Sequence, residues 1–158
     1  MAVDYYLDLG SIKGESKSQG FEDQIQLLSF SWGGHQVTGI KGTSGSGAGK
    51  VDLSDFSIMK HLDKATTPIF AAMCKGTHID KAFLTAVKAG ANAKPFLKLT
   101  LQQVFVTSQQ VSASTEIPTE SVSFSYDSIK LEYSVQDAKG VVTTTGSSTY
   151  SVSKNTVT

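Results

Sequence analysis

The chain has 158 residues and 16.8 kDa, one domain's worth, with Lys+Arg 14 against Asp+Glu 14 and a formal net charge of +0. Every basic residue is lysine, so no guanidinium fork is present to grip phosphate, and nucleic-acid binding is disfavoured. At 39% hydrophobic residues and no net charge the chain is not disordered, and no apolar run approaches the ~20 residues of a membrane span.

The opening MAVDYYLDLGSIKGES has no basic n-region, and Asp4 and Asp8 interrupt its apolar residues, so it does not read as a cleavable signal peptide. Val3, Tyr5, Leu7 and Leu9 alternate with Asp4, Tyr6 and Asp8, the period of a strand. In Ile25–Trp32, Leu28, Phe30 and Trp32 share one parity. This predicts that they face the core while Ser29 and Ser31 face outward. Next comes a glycine-rich stretch, Gly39-Ile40-Lys41-Gly42-Thr43-Ser44-Gly45-Ser46-Gly47-Ala48-Gly49-Lys50, read as one extended loop. Ordering it costs about 1–2 kcal/mol per residue, so it needs a surface to receive it. A strand is predicted over Leu53–Lys60.

One helix is predicted, with Thr67 as N-cap, Pro68 at N1 and Gly76 at C′. Ile69, Phe70 and Met73 fall on its apolar stripe, with Cys74 beside it as a small buried hydrophobe. His78–Val87 reads as a strand. In Phe96–Val106, Leu97, Leu99 and Leu101 alternate with Lys98, Thr100 and Gln102. In Ser121–Val135 the parity switches between Val122, Phe124, Tyr126 and Ile129, Leu131, Tyr133, Val135. This predicts a bulge near Asp127–Ser128. Val141–Val152 is the last candidate strand. Seven or more strands with short turns predict a mainly β fold: a small β-barrel of two packed antiparallel sheets with one short helix.

No constellation in the sequence supports catalysis, a metal or a cofactor. Before Gly49-Lys50 the glycine of a phosphate-binding loop is replaced by Ser44, and Val51 stands where a magnesium-binding hydroxyl belongs. Gly42-Thr43-Ser44-Gly45-Ser46 lacks the last glycine of a nucleophile elbow. His35, His61 and His78 have no metal spacing and read as turn or strand-end residues. Glu15, Glu22 and Asp23 with Lys13 and Lys17 read as a solvated network. The single cysteine precludes an internal disulfide.

Several blocks, in order, resemble one family. They are Ile12-Lys13-Gly14-Glu15-Ser16; Ser29-Phe30-Ser31-Trp32-Gly33; Asp63-Lys64-Ala65-Thr66-Thr67-Pro68; and Glu120-Ser121-Val122-Ser123-Phe124-Ser125-Tyr126. They resemble the Hcp proteins, the haemolysin-coregulated tube subunits of bacterial type VI secretion. The resemblance implies a single tube domain over 1–158 that closes into a six-membered ring, with no toxin domain appended. It also implies that the rings stack into a hollow tube, with a sheath and spike protein as partners and small effector proteins carried in the lumen. The chain would assemble in the cytoplasm and be secreted without a cleavable signal. On this view Ser31 and Ser29 face the cargo, and the stretch Gly39–Lys50 reaches a neighbouring subunit or ring. A competing reading is a monomeric barrel that binds a small ligand or glycan, with Trp32 and the tyrosines as its platform.

Overall fold

The computed structural model describes residues 2–38, 48–90 and 94–158. Most of the predicted loop, 39–47, lies outside them. The first strands in chain order are β1 (Val3–Asp8), β2 (Ile25–Leu27), β3 (Ser29–Ser31), β4 (Gly34–Thr38), β5 (Ala48–Leu53) and β6 (Phe56–His61). After the helix α1 (Thr66–Lys75) come β7 (Ile79–Lys88), β8 (Pro95–Ser112), β9 (Thr119–Ser125), β10 (Ser128–Gln136), β11 (Val142–Ser151) and β12 (Thr156–Val157). One antiparallel sheet has the order β12-β11-β10-β8-β7-β1-β2, and a second is formed by β3, β6, β9 and the far half of β8. The mainly β, two-sheet expectation holds, although the strands do not close into one regular barrel.

The long strand β8 belongs to both sheets. Its first half pairs with β7 and β10 and its second half with β9. The hand-over falls at Gln103, whose φ of 57 is left-handed. Parity flips there, so Leu99 and Leu101 are buried on one side of Gln103, and Val104 and Val106 on the other. The switch expected near Asp127–Ser128 is larger than a bulge. It is a corner at which the chain leaves β9 in one sheet for β10 in the other, held by Asp127 N–H donating to the Gln102 carbonyl at 3.0 Å. Leu53–Lys60 is likewise two strands, β5 and β6, broken at Ser54 and Asp55.

Leu28 marks another crossing. Ile25 and Leu27 are buried and Phe30 packs on the core, but Leu28 is 48% exposed. It is the link between β2 in one sheet and β3 in the other, so it belongs to neither alternation. The expectation that it faces the core is therefore corrected. Ala48, Gly49 and Lys50 are corrected too: they are not loop but the start of β5, paired with β4 in a two-stranded hairpin.

Helix α1 caps one end of the barrel-like body. Gly76 ends it as expected, at φ 64, with N–H donated back to the Met73 carbonyl. Its start differs from the prediction. The capping work is done before the helix, where Asp63 Oδ1 accepts from Ala65 N–H at 2.8 Å and Thr66 Oγ1 accepts from Asp63 N–H at 3.1 Å. The buried residues of α1 are Ile69 and Ala72. Phe70, 57% exposed, and Cys74 point outward, because a residue next to Ile69 lies a hundred degrees round the helix.

The family-like block Ile12–Ser16 braces β2. Gly14 N–H donates to the Asp23 carbonyl at 2.8 Å and Ser16 N–H to the Gln24 carbonyl at 3.1 Å. A Cβ on Gly14 would stand 2.4 Å from the Gln24 carbonyl oxygen, so this backbone approach requires glycine. Tyr6, on the parity read as polar, is buried: it stacks on Phe21 at 4.5 Å and shares a 2.8 Å hydrogen bond with Ser18.

Candidate assembly and lumen surfaces

Alternation along β3, β6 and β9 puts the large residues inside and, Met59 apart, hydroxyls outside. Phe56, Ile58, Val122 and Phe124 are buried, while their strand neighbours turn the other way. Register then lines the outward residues into rows. Ser31 lies opposite Ser57, Ser57 opposite Ser123 and Ser123 opposite Ser108. The next row runs Ser29, Met59, Ser121, Gln110. The Ser57 and Ser123 hydroxyls bond at 3.0 Å. Ser29 and Ser31 are exposed as expected, and none of these eight outward residues is an acid or a base. The sequence reading missed Ser57, Ser121, Ser123 and Met59. The signal for them was present as the parity opposite to Phe56, Ile58, Val122 and Phe124.

At the end of the body away from α1, Trp32 Nε1–H donates to Tyr126 Oη at 2.6 Å, and Tyr126 O–H donates to the Ser54 carbonyl at 2.8 Å. Burial is the largest influence on the Tyr126 phenol and raises it above its ordinary 10.0; the Trp32 hydrogen bond opposes, and the charge of Asp55 adds to the rise. Trp32 also walls a cavity of about 550 Å³ between the β4–β5 hairpin and β10–β12, with Val51, Leu53, Leu131, Tyr150 and Val157.

At the α1 end lies a buried ionic cluster. Lys60 and Glu120 are register partners on β6 and β9, both fully buried, and their side chains are hydrogen-bonded. The Lys60 ammonium also donates to Asp63 Oδ1 at 2.8 Å and to the His61 carbonyl at 3.0 Å. Thr66 Oγ1 and Gln109 Nε2 donate to the Glu120 carboxylate at 2.9 and 2.8 Å. Cation, carboxylates and donors match one another, so the cluster ties β6, β8, β9 and the start of α1 together.

The remaining predicted residues are scattered. His35 sits in β4 rather than a turn, its Nε2 3.9 Å from Asp52. His61 ends β6, and His78 precedes β7 with its ring 5.4 Å from that of Phe105. Among the described residues Asp23 pairs with Lys64 at 3.6 Å, not with Lys13 or Lys17. Also among the described residues, no three His, Cys, Asp or Glu side chains gather where they could hold a metal ion, and no helix is long and apolar enough to cross a membrane.

The comparisons agree with the sequence blocks. A family model described as "Type VI secretion system effector, Hcp" matches residues 6–133. The chain is 36% identical over 143 residues to Protein hcp1 of Pseudomonas aeruginosa, covering 89% of this chain and 88% of that one. A solved type six secretion system protein superposes with a TM-score of 0.92 at 25% identity, covering 99% of this chain and 100% of that one. Hcp1 from Salmonella typhimurium gives 0.81 at 26% identity, covering 100% of both chains. The chain belongs to the Hcp family of type VI secretion proteins.

Proposed function

We propose that this chain is a single tube domain, 1–158, whose copies close into a ring of six, and that the rings stack into the type VI secretion tube. The ring would be assembled in the cytoplasm beside the sheath and spike and exported without a cleavable signal. It acts as wall and carrier, not as a catalyst. The supporting observation is the outward face of β3, β6, β9 and the far half of β8, rowed with Ser29, Ser31, Ser57, Ser121 and Ser123 and free of acid or base in those rows. Hydroxyls stay hydrated at little cost, and without fixed charge the wall neither traps nor repels cargo of either sign. Such a face suits a lumen through which effector proteins are held and released. The β4–β5 hairpin, with residues 39–47 between its strands, is the arm that reaches a neighbouring copy.

Light scattering after size exclusion tests the ring. A mass of six chains at micromolar concentration is expected, with annular particles in micrographs, and a single-chain mass refutes it. Ser31→Tyr should keep that mass and lower retention of a co-expressed effector at least tenfold. Unchanged retention would remove Ser31 from the lumen. Hydrogen exchange over 39–50 should slow on going from rings to tubes, and equal exchange in both states would discard the arm.

A further inference from the structure

Where helix α1 meets the end of β1 and the start of β7, the surface opens into a cleft of about 570 Å³. Three segments build it. The first is the turn after β1, where Gly10 takes φ 67 and donates its N–H to Asp8 Oδ1 at 3.1 Å. The second is the α1 face that carries Pro68, Ala71 and Lys75, spaced three and four apart and so stacked on one side of the helix. The third is the link from Thr77 into β7. The left-handed turn at Gly76 folds it back, with Thr77 N–H donating to the Ala72 carbonyl at 2.9 Å.

The lining has two chemistries. Ile12, Pro68, Ala71, Ile79 and Phe83 supply apolar surface. Asp8, Asp80, Lys75 and Lys81 supply two carboxylates and two ammonium groups. Among the described residues none of these four is in an ion pair, although lysine pairs with a carboxylate elsewhere, at Lys64–Asp23 and Lys130–Glu132. The other titratable group of the lining, His78, sets its ring 5.4 Å from that of Phe105.

The charges decide the class of ligand. A simple anion would be repelled by Asp8 and Asp80 while it gained from the lysines, and a simple cation would meet the converse. Two positive and two negative groups sum to zero, so a ligand of one sign gains little net. A ligand that brings both signs can pair with both halves of the lining, and an apolar group between them can cover the apolar surface. The volume falls within the range of about 300–1,000 Å³ for ligand sites. A single amino acid would not fill it, whereas a few residues of peptide would.

We propose that this cleft binds a short peptide segment of a partner protein, with an apolar side chain seated between one basic and one acidic side chain. Asp8 and Asp80 take the basic group, Lys75 and Lys81 take the acidic one, and Ile79 and Phe83 receive the apolar side chain. The site lies within one chain, so it goes beyond the tube reading and does not depend on assembly.

Calorimetric titration of the native full chain tests it. The probes are pentapeptides capped at both ends, with arginine, leucine and glutamate between two glycines, in that order and in the reverse. The controls carry two arginines, two glutamates, or serine in place of the leucine. The better mixed-charge peptide should bind at least tenfold more tightly than each control. Equal binding by all, or no saturation by either mixed peptide at millimolar concentration, overturns the proposal. Asp80→Asn and Lys75→Gln each remove one charge from an exposed side chain that makes no hydrogen bond among the described residues. Each should weaken the binding at least fivefold, and unchanged binding in either overturns the assignment. A footprint needs no variant. The bound peptide should slow acetylation of Lys75 and Lys81 by acetic anhydride at least threefold, read by mass spectrometry, while the exposed Lys154 reacts as before. Equal slowing at all three lysines, or none at Lys75 and Lys81, overturns it. A mass of six chains without peptide binding defeats this site alone, whereas a single-chain mass with peptide binding defeats the ring reading and leaves the site standing.

Discussion

Removing Lys60 should destabilise the protein more than removing its partner Glu120. In Lys60→Met the buried Glu120 carboxylate keeps its bonds from Thr66 and Gln109 but loses the one cation that pairs with it among the described residues. Asp63, which shared that ammonium at 2.8 Å, becomes a second unneutralised carboxylate nearby. Breaking a buried pair from one side costs about 3–5 kcal/mol. Two carboxylates share the loss, so the upper half of that range applies. In Glu120→Gln the ammonium still has Asp63 and the His61 carbonyl, and the amide oxygen still accepts from Thr66. What goes is one charged bond and part of the Gln109 contact, about 2 kcal/mol. The double variant Lys60→Met with Glu120→Leu removes both charges and fills the space with hydrocarbon, which should recover about 2 kcal/mol relative to Lys60→Met alone. Urea unfolding at one fixed protein concentration reads these differences, because assembly adds a concentration term. At a slope of about 2 kcal/mol per molar urea, Lys60→Met lowers the midpoint by about 2 M and Glu120→Gln by about 1 M. Equal midpoints for the two single variants, or a double variant no more stable than Lys60→Met alone, would refute the reasoning that the charges are coupled.

Other consequences follow from single residues. The phenol of Tyr126 is held above its ordinary value by burial, so its neutral form is the one the fold accommodates. That contribution is complete below pH about 10, the unfolded value, and is lost as pH rises through the higher folded value; the melting temperature of Tyr126→Phe should fall less between pH 9.5 and 11 (roughly the window set by that value) than that of the wild type, and parallel curves would contradict this. Gly14→Ala places a methyl group 2.4 Å from the Gln24 carbonyl oxygen and 2.5 Å from Ile25 Cα, both backbone atoms, so the melting temperature should drop by about 6–12 °C for a cost of about 3 kcal/mol. Gly76→Ala meets no neighbour but must hold φ near 64, which costs about 1 kcal/mol in chemical unfolding. Cys74 is exposed, so native protein should consume one equivalent of maleimide at close to the unfolded rate, and protection of the thiol in assembled protein would place the outer face of α1 in a contact between copies.

Much of the fold is legible in the sequence because period-two alternation is a local property. Val122 and Phe124 in β9 and Leu99 and Leu101 in β8 are all buried on the expected parity. The errors cluster where a strand changes sheets. At Leu28, Gln103 and Asp127 the chain passes from one sheet to the other, and parity counted across such a point inverts. Nothing in the types of the neighbouring residues announces the crossing at Leu28, since Leu27 and Leu28 are the same amino acid with opposite fates. Lys60 and Glu120 were also out of reach, because they are sixty positions apart and only the β6–β9 register makes them partners. Ser29 and Ser31 were legible as outward residues from β3 alone. Their membership of rows with Ser57, Ser123 and Ser121 was not, because rows are made by register and register is not local.

The distribution of apolar surface gives this arrangement a physical logic. A β-rich body of this size could cover its exposed Ile117, Val157, Leu62 and Val111 with lysine or glutamate at little cost to the core, since none of them is buried. The rows of the β3-β6-β9 face, Met59 apart, are polar but uncharged, with serine at every second position of β9. On the proposed reading, exposed apolar residues such as Ile117 and Val157 and a hydroxyl-rich face would separate two tasks: the apolar residues would gain by burial against another copy, at roughly 25 cal/mol per Å² removed from water, and the face would gain nothing by burial and stay wetted. Exchanging the two chemistries tests that division. Putting serine at 117 and 157 should weaken association of copies while sparing the fold, whereas putting valine at 57 and 123 should leave association intact and make the face retain apolar probes. If the serine exchange left the assembled mass unchanged, or the valine exchange dispersed the copies, this division between the exposed apolar residues and the hydroxyl face would be refuted.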